Sequence, residues 1–215
     1  MADSRRALAA LTKDELAMLN KLSTPTKIQD YLDSLPINFE KRGETILSPR
    51  RVLREGKAHC IEGALLAALA LMVAGEKPLL LDLKTLPSDD EHVVALYKRN
   101  GRWGAISKTN HAALRFRDPI YKNIHELAAS YFHEYFLNSN GAKTLRTYSA
   151  PFNLNSTGTN WITSEEDLWD ISDALDAAPH FDLFPPENLQ YLRKASSLER
   201  RAGGLREWTE RDRGT

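Results

Sequence analysis

A chain of 215 residues with 42% hydrophobic and 27% charged content has an ordinary globular composition and enough length to bury a core without staples. Its 29 basic and 29 acidic residues cancel, which removes the global electrostatic footprint of a nucleic-acid binder. A single cysteine excludes an internal disulfide. Charges run through the apolar positions of the first twenty residues instead of a leader's continuous apolar block, so the reducing cytoplasm is the expected setting. The longest uncharged apolar run, residues 63 to 75, falls short of the ~20 residues a membrane span requires, and no membrane segment is expected.

In chain order, residues 5 to 22 predict an amphipathic helix on Leu8, Leu11, Leu16 and Leu19, with Thr12 to Glu15 as a capping box that can split it. Thr26 to Leu35 predicts a second helix, capped near Thr24-Pro25 and stopped by Pro36. Ser48-Pro49 opens a short helix that ends at Gly56. The segment from Ile61 to Ala74 is apolar on every side except Glu62, which predicts a helix inside the domain; Gly75 and Pro78 end it. Leu79 to Leu83 reads as a buried strand interrupted only by Asp82. Asn100-Gly101, between His92–Lys98 and Trp103–Lys108, is a hairpin signal, because a type I′ turn wants positive φ at both central residues. That turn sets Val94 opposite Ser107 and His92 opposite Thr109, and it puts His92, Val94, Leu96, Trp103, Ala105, Ser107 and Thr109 on one face.

Beyond the hairpin, Asn123 to Phe136 predicts a helix whose aromatic side packs in the core. A strand over Leu145 to Ser149 and a polar loop from Asn153 to Asn160 follow. Ser164 is expected to begin a helix with Asp167 in its first turn and Leu168, Ile171 and Leu175 in the core. Pro185-Pro186 is expected to open a last helix through Leu189, Leu192 and Leu198, and residues 203 to 215 read as a poorly ordered tail. The arginines at 50, 51 and 54, and at 115 and 117, read as solvated faces.

Chemistry concentrates at Gly56-Lys57-Ala58-His59-Cys60. The lone cysteine stands at the first turn of the long apolar helix, where backbone N–H groups lack partners and the macrodipole is positive, so a thiol is pushed toward thiolate beside donors for an oxyanion. The competing reading is a buried structural cysteine. His59 reads as a loop residue lining the cleft. Scattered histidines and one cysteine offer no zinc-ligand spacing, and the glycines form no phosphate loop. Neither metal nor cofactor is expected.

The order of elements resembles the transglutaminase-like branch of the papain-type cysteine enzymes. His59-Cys60-Ile61-Glu62-Gly63-Ala64, Gly75-Glu76-Lys77-Pro78, His92-Val93-Val94-Ala95-Leu96-Tyr97 and Gly101-Arg102-Trp103-Gly104-Ala105-Ile106 stand where that family has Gly-x-Cys, a helix, a turn and strand, a strand-initial His, and a Trp-led strand. The likeness covers residues 56 to 110. It implies Cys60 as nucleophile, His92 as its base and acyl transfer through a thioester. One position departs: four residues after Trp103, where the family carries Asp, stands Ser107. A hydroxyl accepts the imidazole N–H without stabilising an imidazolium as a carboxylate does. Asn110 is the second candidate for that orienting role, and Asp82 and Asp118 are more distant carboxylates.

The expectation is therefore a single α+β domain over residues 1 to 200, with a papain-like core at about 45–150, a helical lead-in at 5–35 and a helical part at 164–202. Its activity is expected on a peptide or protein amide, as peptidase, amidase or transglutaminase. The rival is a catalytically inactive relative serving as a peptide-binding or scaffolding module. Ser107 favours the rival, and Cys60 with His92 opposes it.

Overall fold

The computed structural model describes residues 8 to 41 and 43 to 209; the expected helical residues 5 to 7 lie outside that range. Four helices lead in: α1 (Lys13–Lys21), α2 (Pro25–Ser34), α3 (Pro49–Glu55) and α4 (Cys60–Val73). Their starts follow their caps. Thr12 and Glu15 exchange the two bonds of a capping box, Thr24 and Ser48 accept from N–H groups three residues on, and Gly56 closes α3 at φ 64°, a left-handed value that glycine adopts without a Cβ penalty.

One seven-stranded antiparallel sheet follows, in the order β4-β3-β2-β1-β5-β7, with β6 also paired to β1. Its strands are β1 (Leu79–Lys84), β2 (His92–Arg99), β3 (Arg102–Ile106), β4 (Arg117–Tyr121), β5 (Thr147–Ser149), β6 (Phe152–Asn153) and β7 (His180–Asp182). The fold is α+β. The β2–β3 turn has φ of 48° at Asn100 and 77° at Gly101, and the pairs Ala95 with Ile106, Leu96 with Ala105 and Lys98 with Trp103 carry the predicted register.

The sheet separates two apolar layers. Ile61, Leu65 and Leu69 of α4 pack with Leu80, Val93 and Ala95 on one face. On the other, Leu81, Leu83, Val94 and Leu96 meet Leu127, Ala128 and Tyr131 of α5 (Ile124–Tyr131). Twelve of the fourteen residues of α4 are buried, in accord with its all-round apolarity. Among the described residues no helix is long and apolar enough to cross a membrane.

Three expectations need correction. The helix expected from Ser164 begins at Trp169 instead (α6, Trp169–Asp176), because the Ser164 hydroxyl turns back to accept the Glu166 N–H at 3.1 Å. Asp167 is drawn away to the Ile46 N–H and the Arg51 guanidinium, at 3.2 and 2.7 Å. The last helix divides into a 3-10 turn over Pro186–Tyr191 and α7 (Ser197–Gly203), capped by Ser196. Finally, residues 203 to 209 do not trail off. Leu205 and Asn110 offer carbonyls to the N–H groups of Ala112 and Glu207, and Arg115 meets Glu207 at 2.8 Å. Residues 210 to 215 lie outside the described residues.

Candidate active site

Cys60 is the first residue of α4, whose first helical bond runs from the Gly63 N–H to the His59 carbonyl at 2.9 Å. The N–H groups of Cys60 and Ile61 therefore have no carbonyl four residues back and stand at the positive end of the macrodipole. Cys60 is a half-buried residue and lines two cavities. One is a cleft of about 290 Å³ shared with His92, Thr109, Asn110, Glu134 and Tyr135; the other is a smaller recess bounded by Asp82, Glu91 and Asp176. A larger groove of about 620 Å³ lies beside Asn38 and Arg51, and neither Cys60, His92 nor Ser107 lines it.

His92 opens β2 and is buried, as is Ser107 just past the end of β3. In the hairpin register they are diagonal neighbours, within reach of an imidazole, and His92 Nε2 lies 2.8 Å from Ser107 Oγ. Ser107 Oγ in turn donates to the Leu114 carbonyl at 2.5 Å. Its single proton is thereby committed, so the serine accepts and His92 Nε2 carries the proton. Nδ1 is then the nitrogen left for the sulfur. Burial pushes the Cys60 thiol up, but hydrogen bonds to His59 and His92 outweigh burial and bring it down to about 5.

The serine is held from several sides. Gln29 of α2 clamps its backbone, accepting the Ser107 N–H at 2.9 Å and donating to its carbonyl at 2.8 Å. Leu114 sits at φ 60°, a left-handed value that costs a branched residue about 1–2 kcal/mol. Glu134 holds it there, accepting the Leu114 N–H at 2.5 Å while pairing with Arg117 at 2.6 Å. The hydrogen-bonded chain therefore runs from Arg117 through Glu134, Leu114 and Ser107 to His92, which shares the cleft with Cys60.

Asn110 lines the same cleft, but its amide is bonded to the C-terminal segment. It accepts the Trp208 N–H at 2.7 Å and donates to the Trp208 carbonyl at 3.0 Å. Asp82 is buried with a carboxylate oxygen 3.1 Å from His180 Nε2; its burial raises its pKa. Asp82, Glu91 and Asp176 bring carboxylate oxygens within 4.8 Å of one another. The Lys84 ammonium sits among them, 2.7 Å from Asp176 and 3.3 Å from Glu91, and already supplies positive charge there.

Sequence reasoning missed Gln29, Leu114 and Glu134, which lie 78, 7 and 27 positions from Ser107, a separation along the chain that carries no periodic signal. It also gave no role to Lys108, which is fully buried with its ammonium on the Leu32 and Leu35 carbonyls. Burial brings that ammonium down to about 8.

No family model matches the chain, and no curated protein does. Among solved structures the chain is similar to Legionella pneumophila LapG (EGTA-treated), at 13% identity and a TM-score of 0.37, over 74% of this chain and 91% of that one.

Proposed function

We propose that this chain is a cysteine-dependent acyl-transfer enzyme acting on a peptide or protein amide, on a transglutaminase-like core. The observation that carries the reading is that Cys60, at the first turn of α4, lines one cleft with His92, whose Nε2 lies 2.8 Å from Ser107 Oγ. Two histidines that outweigh the burial of a thiol are the environment of a reactive cysteine, since an inert structural cysteine is raised by burial.

In the proposed reaction, His92 Nδ1 takes the thiol proton and the thiolate adds to the amide carbonyl carbon, forming the C–S bond. The carbonyl oxygen takes up the negative charge beside the free N–H groups of the α4 terminus. The intermediate collapses with cleavage of the C–N bond, and the proton on His92 passes to the departing nitrogen. Water or an amine then gives a proton to His92 and adds to the thioester; collapse breaks the C–S bond, and the proton returns to sulfur. Water makes the enzyme a peptidase or amidase, and an amine makes it a transglutaminase.

Ser107 favours a second reading, a peptide-binding module without turnover, because a hydroxyl stabilises an imidazolium less than a carboxylate does. Intact mass measured after incubation with short peptidyl p-nitrophenyl esters separates the two. Acyl transfer predicts one acyl adduct on Cys60, none in Cys60→Ser, and formation slowed by at least about 10²-fold in His92→Ala. A folded wild-type protein that neither carries the adduct nor releases p-nitrophenolate faster than Cys60→Ser refutes the enzyme reading and favours the binding module.

A further inference from the structure

His59 is a second imidazole on the sulfur. Its Nδ1 lies 3.9 Å from Cys60 Sγ. Its Nε2 lies 2.8 Å from the Thr45 carbonyl, with carboxylate oxygens of Glu62 at 3.3 Å and Glu40 at 3.5 Å. A carbonyl and carboxylates only accept, so Nε2 carries a proton.

Behind the ring, Glu62 is fully buried. Its two oxygens accept from Asn38 Nδ2 at 3.1 and 3.2 Å, from Thr45 Oγ1 at 3.0 Å, and from the N–H groups of Leu47 and His59, each at 2.9 Å. Donors on every side hold a carboxylate in its charged form, and a buried anion is expensive unless a cation meets it. The cation in contact with this one is the ring of His59.

We infer that His59 and Glu62 form a standing imidazolium–carboxylate pair that aims the Nδ1–H of His59 at Cys60 Sγ, so a fixed cation holds the thiolate while His92 moves the proton. The inference rests on Cys60 being the reacting sulfur. The carboxylate that serine replaces behind His92 thus stands behind the other histidine, and the two tasks usually joined in one imidazole are divided between two. Burial opposes a charge on His59, yet the hydrogen bonds to Cys60 and Glu62 outweigh it and raise the ring to about 11.

Other titratable groups line the two cavities that Cys60 borders: Asp82, Glu91 and Asp176 the small recess, with Lys84 between them, and Asp89, Asp90, Glu91, His111, Glu134 and Tyr135 the cleft, while the Lys108 ammonium turns away to the Leu32 and Leu35 carbonyls. The carboxylates work against a thiolate, so its stabilisation falls to the two imidazoles and the helix terminus.

The test is the pH dependence of iodoacetamide alkylation in wild type and His59→Gln, a change that keeps a side-chain donor and removes the charge. The inflection is expected to rise by about 2 pH units in the variant, with the rate at pH 6 falling at least tenfold. A rise of less than about 1 unit in folded His59→Gln overturns the inference. Should the variant not fold, ring 15N shifts of His59 in the wild-type protein decide: both nitrogens protonated from about pH 5 to 9 support the pair, and a deprotonated nitrogen below about pH 8 overturns it. Alkylation needs no substrate. The expected profile without acyl adducts would therefore retain the ion pair and remove acyl transfer, while adducts with a profile insensitive to residue 59 would do the reverse.

Discussion

At the scale of residues, the proposed mechanism turns on the position behind His92. Ser107 is fitted to its place by an acceptor, the Leu114 carbonyl at 2.5 Å, and a carboxylate there would face that carbonyl with no proton to give. Ser107→Ala should lower the rate of Cys60 acylation about tenfold, the equivalent of one lost hydrogen bond of roughly 1.4 kcal/mol. Ser107→Asp should melt at a lower temperature than Ser107→Ala, because an unpaired buried charge costs more than a missing hydroxyl. Equal or higher thermal stability of the aspartate variant would show that the site accepts the carboxylate and that serine is no structural requirement. The family resemblance marks position 107 in the sequence, but the reason a serine suits it lies in Leu114, Glu134 and Arg117, brought in by the turn of the chain beyond β3.

At the scale of elements, α4 and the segment after β3 are pressed together at Gly63. A Cβ built on Gly63 meets Cβ of Lys108 inside contact distance, and Lys108 adjoins Ser107 and is itself fully buried. Gly63→Ala should therefore cost about 1–3 kcal/mol despite its better helix propensity, seen in a thermal melt as a loss of several degrees. A melt unchanged or raised would mean the packing there is loose. Elements of this kind are legible where local chemistry sets them: Thr24-Pro25, Ser48-Pro49 and Asn100-Gly101 write their boundaries into the sequence, and the hairpin register follows from its turn. Ser164 misleads because a serine serves an isolated turn as well as a helix cap, and the choice fell to Arg51 and Ile46, which take Asp167 from more than a hundred positions away.

At the scale of the whole molecule, segments from before and after the hairpin meet just beyond its second strand. From the N-terminal side, Gln29 of α2 reaches the backbone of Ser107; from the C-terminal side, Trp208 binds the amide of Asn110. Composition favoured a loose C-terminal segment, since its charges and glycines offer little apolar area, and the backbone pairing that orders it has no sequence signature. Asn110→Ala should speed amide exchange at Trp208 while leaving the alkylation rate of Cys60 within about twofold of wild type. A large fall in alkylation would instead restore Asn110 as an orienter of the site. The fold places a helix terminus, two imidazoles and one sulfur together, and the charge state of that sulfur is the claim on which the account stands. The most direct measurement is the rate of iodoacetamide alkylation of the native wild-type protein against pH, beside the same protein unfolded in denaturant. The account predicts a native inflection at about 5, moving to the ordinary thiol value of roughly 8.5 on unfolding; a thiol that reacts only in the unfolded chain, or titrates identically in both states, would contradict it.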